Sequence, residues 1–582
     1  MPFIQRFRKH QREAIDFALE SFRSGKQVVL FEGPTGFGKS IANVVIAESF
    51  GSAYYTSAQV ALVDQLRSDP LLRDGIAGVY GKSNYSCAVP HWSSMTVDKA
   101  PCERGLKCGS CDGKGQVYQG GGPVVCDDCK GRGSQPYDCK LRLAEGDGPD
   151  IEGPPKCPYY LDKFHAAHRR VAVMTMAYLL LASTSETGPR GRWGLVRGQF
   201  PPRELLIVDE AHGTAGFAAD HISLTLSQKR LYTDVWRETW GKIRHRALAV
   251  REEADAIAFI RDVLMPSLET NRKVLEDMTW GGGIAGEKAQ RALTDLESFE
   301  LSVDLALEDL TEGNPWAIDP REEEDKLVLQ PVLVGPFLRR RLWNRANHYL
   351  LSTATVLDPD LTLRELGLED MPYAYLKVPS TFPPERSPVI DATVGPLTRR
   401  YKKIVMPRAL EQLCHILDIE KGRGIVHCHS YENAAYIRDN VNDGYRPRLV
   451  FHESVDRGDV LEAWLHDGRH DSVLVSVAMT EGLDLRDDLA RFAVIWKVPY
   501  PSLGDKRVSR RLKLEDGERW YRIVTLRTII QAAGRIVRSE EDEGRIYVLD
   551  SSFHTLLSQT SKWVPEWFKE RIQVGRSFDS GS

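Results

Sequence analysis

Gln27-Val28-Val29-Leu30-Phe31-Glu32-Gly33-Pro34-Thr35-Gly36-Phe37-Gly38-Lys39-Ser40 is the stretch that decides the fold. An apolar run enters a glycine loop that ends in Gly-Lys-Ser, and a helix should follow from Ser40. Such a loop aims backbone N–H groups and a helix N-terminus at phosphates. Lys39 would reach the β- and γ-phosphates, and Ser40 would ligate Mg²⁺. Gly33, Gly36, Gly38, Lys39 and Ser40 are therefore candidate contacts for ATP.

Further along, Leu205-Leu206-Ile207-Val208 runs into Asp209-Glu210-Ala211-His212. Carboxylates at a strand end suit nucleotide chemistry: Asp209 would hold Mg²⁺ and Glu210 would orient and deprotonate an attacking water. A third segment is Gln531-Ala532-Ala533-Gly534-Arg535-Ile536-Val537-Arg538. Arg535 and Arg538 are three apart, so on a helix they share one face and can stabilise charge on a γ-phosphate.

The 582 residues allow three or four domains. Hydrophobic content of 42% and charged content of 27% describe an ordinary globular protein. No apolar stretch is long enough to span a bilayer, and the start has no apolar signal core, so a cytoplasmic protein is expected. The net charge of −4 does not favour nucleic acid. Three basic clusters could nonetheless line a groove for a phosphate backbone. They are Arg339-Arg340-Arg341 with Arg345, Arg399-Arg400 with Lys402-Lys403, and Lys506-Arg507 with Arg510-Arg511 and Lys513.

Residues 1–86 read as the first part of an α/β lobe, and Val171-Ala172-Val173-Met174 resumes it over 161–213. Between 214 and 330, Ile257, Ile260 and Leu264, then Leu293, Leu296, Phe299, Val303 and Leu307, recur at helical spacing. That predicts a helical insertion, with a return to the first lobe over 331–355. A second α/β lobe is expected over 356–582, with strands at Gly424–His427, Val473–Val477, Phe492–Trp496 and Ile546–Leu549.

Eight of the ten cysteines fall between Cys87 and Cys157. The window is rich in Gly and Asp and poor in aliphatic periodicity, so it needs metal to fold. In a reducing compartment clustered thiols read as metal ligands rather than disulfides. One internal repeat lies inside it, Cys108-Gly-Ser-Cys111-Asp-Gly-Lys-Gly115 and Cys126-Asp-Asp-Cys129-Lys-Gly-Arg-Gly133. Paired C-x-x-C knuckles of this kind place four sulfurs in tetrahedral reach of Zn²⁺. His427-Cys428-His429 also invites a metal reading, but a buried strand end is preferred.

Together these elements resemble the XPD/DinG family of superfamily-2 DNA helicases, nearly end to end. Phe7-Arg8-Lys9-His10-Gln11 looks like the family's start, where the glutamine commonly reads adenine. Tyr55-Thr56-Ser57 with Leu62, Gln65 and Leu66 resembles motif Ia, which touches DNA. Ser352-Thr353-Ala354-Thr355 resembles the coupling motif, Glu481-Gly482-Leu483-Asp484-Leu485 the motif beside DNA and nucleotide, and Lys497-Val498-Pro499-Tyr500-Pro501 a segment that follows. Thr175-Met176 departs from the family, which usually has Asn-Tyr there.

The resemblance implies two RecA-like P-loop lobes closing on ATP, with an iron–sulfur domain (87–160) and a helical arch rising from the first lobe. It also implies a monomer that moves 5′→3′ on single-stranded DNA and opens duplex junctions. Gly81-Lys82-Ser83-Asn84-Tyr85-Ser86-Cys87 looks like the first ligand of the family's [4Fe-4S] cluster, and Lys156-Cys157-Pro158-Tyr159-Tyr160 like the last. Residues 105–135 resemble the zinc region of DnaJ-type chaperones.

Giving Cys108, Cys111, Cys126 and Cys129 to zinc leaves Cys87, Cys102, Cys139 and Cys157 for the cluster. A rival division exchanges Cys108 and Cys139; the first is preferred because it keeps both knuckles intact. A third possibility is an eight-thiol zinc module without iron. For the whole chain the other readings are a DEAH-type RNA helicase or remodelling ATPase, and a scaffold with a vestigial ATP site.

Overall fold

A computed structural model describes residues 7–8, 10–34, 36–57, 60–104, 106–111, 116–119, 122–128, 134–135, 137, 139–141, 156–187, 200–231, 233–280, 283–380, 383–477, 489–534, 536–537 and 542–574. The first lobe is built on a seven-stranded sheet. From edge to edge its strands are Tyr373–Lys377, Val28–Glu32, Ala346–Thr353, Arg203–Asp209, Ala53–Ser57, Val171–Thr175 and Ile76–Val79. All of its pairings are parallel. Helices cover both faces of such a sheet, which is why its inner strands are unbroken apolar runs.

The second lobe repeats this plan. Its seven parallel strands run Leu449–Phe451, Val473–Ser476, Gly424–His427, Phe492–Ile495, Arg545–Asp550, Val389–Gly395 and Ile572–Val574. The four strands expected from sequence lie within a residue or so of their expected ends. Separate apolar clusters fill the two sides of this sheet.

Two features differ from expectation. The first lobe does not end at residue 355, because Tyr373–Lys377 pairs with Val28–Glu32 as its edge strand. Leu363, Leu366, Leu368 and Val378 belong to the same apolar core. That edge strand is only partly buried, so it lacks the continuous apolar run that marks its neighbours.

The insertion over 214–330 is not purely helical. Beside the helices Asp234–Ala247, Glu253–Phe259, Met265–Trp280 and Gly283–Thr311 it has a three-stranded antiparallel sheet. Leu224–Ser227, Lys326–Pro331 and Trp316–Arg321 form that sheet. It is the footing on which the second lobe rests: Arg507 Nε donates to the Pro331 carbonyl at 2.9 Å, and Arg510 donates to the Trp316 carbonyl while pairing with Glu253 on the adjoining helix at 2.7 Å.

The cysteine-rich module leaves the edge strand Ile76–Val79 and returns through the helix Pro158–His168. Within it Gln116–Gln119 pairs with Gly122–Val125 as an antiparallel hairpin. Among the described residues, no helix is long and apolar enough to cross a membrane.

Candidate functional site

The glycine loop sits at the C-terminal end of Val28–Glu32 and opens the helix Lys39–Glu48. Gly36 and Gly38 have φ of 79° and 86°, a left-handed conformation that glycine tolerates without strain. Lys39 Nζ folds back on the loop and donates to the Gly33 carbonyl at 3.1 Å.

Gln11 is 2% exposed and grips the same loop. Its Nε2 donates to the carbonyls of Phe37 (2.9 Å) and Gly38 (3.1 Å), and its Oε1 accepts from Arg8 N at 2.7 Å. A Cβ on Gly38 would run into that amide. Gln11 therefore holds the loop in shape.

Asp209 lies beside this loop because Val28–Glu32, Ala346–Thr353 and Arg203–Asp209 are consecutive in the sheet, with Glu32 opposite Thr353 and Ser352 opposite Asp209. Its carboxylate is 3% exposed. Oδ1 accepts from Glu210 N at 2.9 Å, and Oδ2 accepts from the Tyr55 hydroxyl at 2.6 Å. Burial, followed by the neighbouring Glu210 charge, pushes Asp209 up to about 6, while the Tyr55 hydroxyl and Lys39 oppose that rise.

Glu210 adopts φ 51°, which turns the chain sharply after the strand. His212 Nδ1 lies 3.3 Å from Glu210 Oε2 and 2.8 Å from Thr353 Oγ1, so it joins the acidic box to Ser352-Thr353-Ala354-Thr355. The Ser40 hydroxyl and the Asp209 carboxylate form a hard oxygen donor set, which fits Mg²⁺. An ammonium, two carboxylates and a loop of N–H groups thus converge at one sheet end.

Tyr55 departs from the DNA-facing role its motif implies. It is fully buried and bonded to Asp209, and its neighbour Thr56 donates to the Ile207 carbonyl at 3.1 Å. Only the helix after it, Val60–Ser68, presents groups outward: Gln65 is exposed and Leu62 half-buried. Thr175 is 8% exposed and its hydroxyl accepts from Tyr178 N at 3.2 Å, which leaves it a structural part. Gln531 lies on the helix Gly517–Ala533, half-buried. Arg535, Arg538 and 481–485 fall outside the described residues. The strand Gly424–His427 ends before Cys428, which is fully buried, and His429 Nε2 lies 3.0 Å from the Tyr500 carbonyl oxygen.

The basic clusters resolve unequally. Arg340 pairs with Asp309 at 2.7 Å and with Glu312, Arg341 pairs with Glu308, and Arg339 pairs with Glu369 at 3.1 Å. Arg345 is buried on the Phe200 carbonyl. This cluster is a brace between the insertion and the first lobe, and not a groove for phosphates.

Asp309 is fully buried and also accepts from Trp316 Nε1 at 2.9 Å. Arg340→Ala would leave that buried charge with only the neutral Asn314 and Trp316 donors, at about 2–3 kcal/mol of stability. Denaturant melts should register the loss, while the salt dependence of polynucleotide binding should stay unchanged. In the third cluster, Arg507, Arg510 and Arg511 are likewise taken by Pro331, Glu253 and Asp516. In the second, Arg399, Arg400 and Lys403 stay exposed.

The described thiols form two groups. Cys108, Cys111 and Cys126 are buried, and their sulfurs lie within 4.8 Å of one another. Cys129, the expected fourth ligand, lies outside the described residues. The other group surrounds Cys157, which precedes the helix Pro158–His168. Burial raises its thiol, the N–H groups of Tyr160 and Tyr159 bond to it and lower it, and the nearby Cys139 and Cys87 raise it again.

Cys108 thus lies with the knuckle sulfurs, and Cys139 with Cys87 and Cys157. Cys102 is half-buried on the short helix Pro101–Arg104. Cys87 and Cys139 are near enough to Cys157 for their charges to be felt there, although the three sulfurs are not drawn together within 4.8 Å as the knuckle sulfurs are; thiols so placed, one of them at a helix N-terminus, suit a thiolate-held cluster.

Two parallel-sheet lobes with a P-loop and an acidic box in the first define a protein of the RecA-like, two-lobed P-loop class. Its particular fold is that of the XPD helicases. One solved XPD helicase has a TM-score of 0.59 and 17% identity, covering 96% of this chain and 99% of that one. Xpd4 of S. tokodaii gives 0.55 and 15%, covering 98% and 100%.

Residues 413–571 match the family described as Helicase C-terminal domain. Among curated relatives, the Fanconi anemia group J protein homolog of Gallus gallus is 28% identical over 112 residues, 18% of this chain and 9% of that protein. The Regulator of telomere elongation helicase 1 homolog of Drosophila sechellia is 32% identical over 108 residues, 16% of this chain and 11% of that protein. The matched stretches therefore span about a tenth of those relatives' length.

Proposed function

We propose that this chain is an ATP-dependent DNA helicase that moves 5′→3′ along single-stranded DNA and parts duplex at its cysteine-rich module. The observation that carries the reading is the convergence of Lys39, Ser40, Asp209 and Glu210 at one sheet end of a fold shared with XPD helicases.

Lys39 and the loop N–H groups bind the β- and γ-phosphates. Ser40 and Asp209 would hold Mg²⁺, which would neutralise charge on the phosphates. Glu210 takes the proton of the attacking water, and Arg535 with Arg538, as the family resemblance implies, would supply positive charge to the γ-phosphate. His212 ties the box to Thr353 and so relays γ-phosphate loss to the hinge between lobes. There the Glu32 carboxylate accepts from Val356 N at 3.0 Å, and Asp358 pairs with Arg519 of the second lobe.

Cys87, Cys102, Cys139 and Cys157 would hold a [4Fe-4S] cluster, which when bound gives that module a rigid core. Cys108, Cys111, Cys126 and Cys129 would hold Zn²⁺. Arg67, on the helix after Tyr55-Thr56-Ser57, pairs at 2.7 Å with Asp162 on the helix that Cys157 precedes. Tyr85 donates to the same carboxylate at 2.9 Å. This tie supports transmission of strand movement to the metal module. Arg399, Arg400 and Lys403 are the exposed cations suited to the strand on the second lobe.

Strand displacement on matched DNA and RNA duplexes, with 5′ or 3′ overhangs, tests the reading. ATP-dependent opening of DNA carrying a 5′ overhang is expected. Preference for RNA, or for a 3′ overhang, overturns the substrate or the polarity respectively.

A further inference from the structure

Tyr55 is the buried group that holds the acidic half of the expected magnesium site, and no part of the mechanism above uses it. It is fully buried on the strand Ala53–Ser57, next in the sheet to the strand that carries Asp209. Its hydroxyl donates to Asp209 Oδ2 at 2.6 Å. A phenol has one proton to give and lone pairs to accept with. While that proton points at Asp209, the oxygen accepts from Asn43 Nδ2 at 3.3 Å.

We propose that Tyr55 is a positioning residue for the nucleotide-bound divalent cation, fixing the rotation of the Asp209 carboxylate and thereby setting metal affinity. The inference rests on the ATP reading and deepens it. Asn43 Nδ2 steadies the phenol from the side away from Asp209. By donating to Asp209, it fixes the carboxylate rotation with a short, charge-assisted bond. Glu210 N holds the other oxygen, so the carboxylate is pinned at both ends while each oxygen keeps a lone pair. Without the phenol, Asp209 would be free to turn away from the metal, and the buried carboxylate would keep one donor fewer.

The neighbouring tyrosine supplies a matched control. Tyr54 is also fully buried, but its hydroxyl donates to the Pro201 carbonyl at 2.6 Å, away from the nucleotide. The experiment measures binding of a fluorescent, non-hydrolysable ATP analogue to the full chain while Mn²⁺ is titrated.

Tyr55→Phe is expected to raise the Mn²⁺ concentration for half-saturation about tenfold, the effect of one lost charge-assisted hydrogen bond. Tyr54→Phe should stay within about twofold of wild type. Asn43→Ala, which removes only the donor that steadies the phenol, should shift in the same direction by less, and it decides the matter if circular dichroism shows Tyr55→Phe unfolded. An unshifted Tyr55→Phe, or an equal shift in Tyr54→Phe, overturns the proposal. Wild type that never binds the analogue overturns the nucleotide reading itself, a separate result because it shows before any variant is made.

Discussion

Glu210→Gln is expected to lower the DNA-stimulated ATPase rate at least about a hundredfold, with little change in nucleotide affinity. The substitution keeps the shape and the hydrogen-bonding reach of the side chain but removes its capacity to accept a proton. Glu210 does not depend on the phosphates for its placement: the left-handed turn at φ 51° and the contact to His212 already hold it. The loss should therefore fall on kcat.

Lys39→Ala is expected to lose a similar factor for a different reason, with weaker binding as well. Its ammonium leaves the Gly33 carbonyl for the phosphates and serves both ground and transition states. Steady-state kinetics with and without single-stranded DNA separates the two. A Glu210→Gln protein whose KM rises while kcat is kept would remove Glu210 from the water-activating role.

Both lobes were legible because parallel strands buried on two faces are written as short apolar runs, and a local window can see those. The glycine loop and the acidic box were legible for the same reason, since each is contiguous and follows such a run. Tyr55 was not. Its partner Asp209 is 154 residues away, and the residues around Tyr55 spell a motif with a different expected task.

The cluster at Arg339–Arg341 failed similarly. The arginines are consecutive, but their acids come from Glu308, Asp309 and Glu312 on another helix and from Glu369 beyond the following strand. Charge runs reveal their sign, and only the fold reveals who neutralises them. The edge strand Tyr373–Lys377 escaped because half-buried edges carry a weak pattern. The sheet at the base of the insertion escaped because the helical period of its neighbours dominated the window.

Cys157→Ser is expected to abolish duplex unwinding while leaving most of the DNA-stimulated ATPase, and to strip iron and acid-labile sulfide while sparing bound zinc. The division follows from where the thiols lie. Cys157 lies at the start of the helix Pro158–His168 in the electrostatic neighbourhood of Cys139 and Cys87, whereas Cys108, Cys111 and Cys126 form their own group. The ATP groups stand on Val28–Glu32 and Arg203–Asp209, separated from the module by the strands Ala53–Ser57 and Val171–Thr175. Loss of a cluster therefore removes a rigid body at the sheet edge without touching the phosphate chemistry.

Cys111→Ser should do the reverse, losing zinc and keeping the brown chromophore near about 400 nm expected of a thiolate-held cluster. Metal analysis by mass spectrometry, beside paired ATPase and unwinding assays, reads all of these at once. Protein that contains only zinc, in wild type and both variants, would reduce the eight thiols to one zinc module. Equal loss of ATPase and unwinding in Cys157→Ser would instead mean that the helix following it, whose Ala166 carbonyl is held by Arg203 at 2.8 Å, has taken the first lobe's sheet down with the cluster.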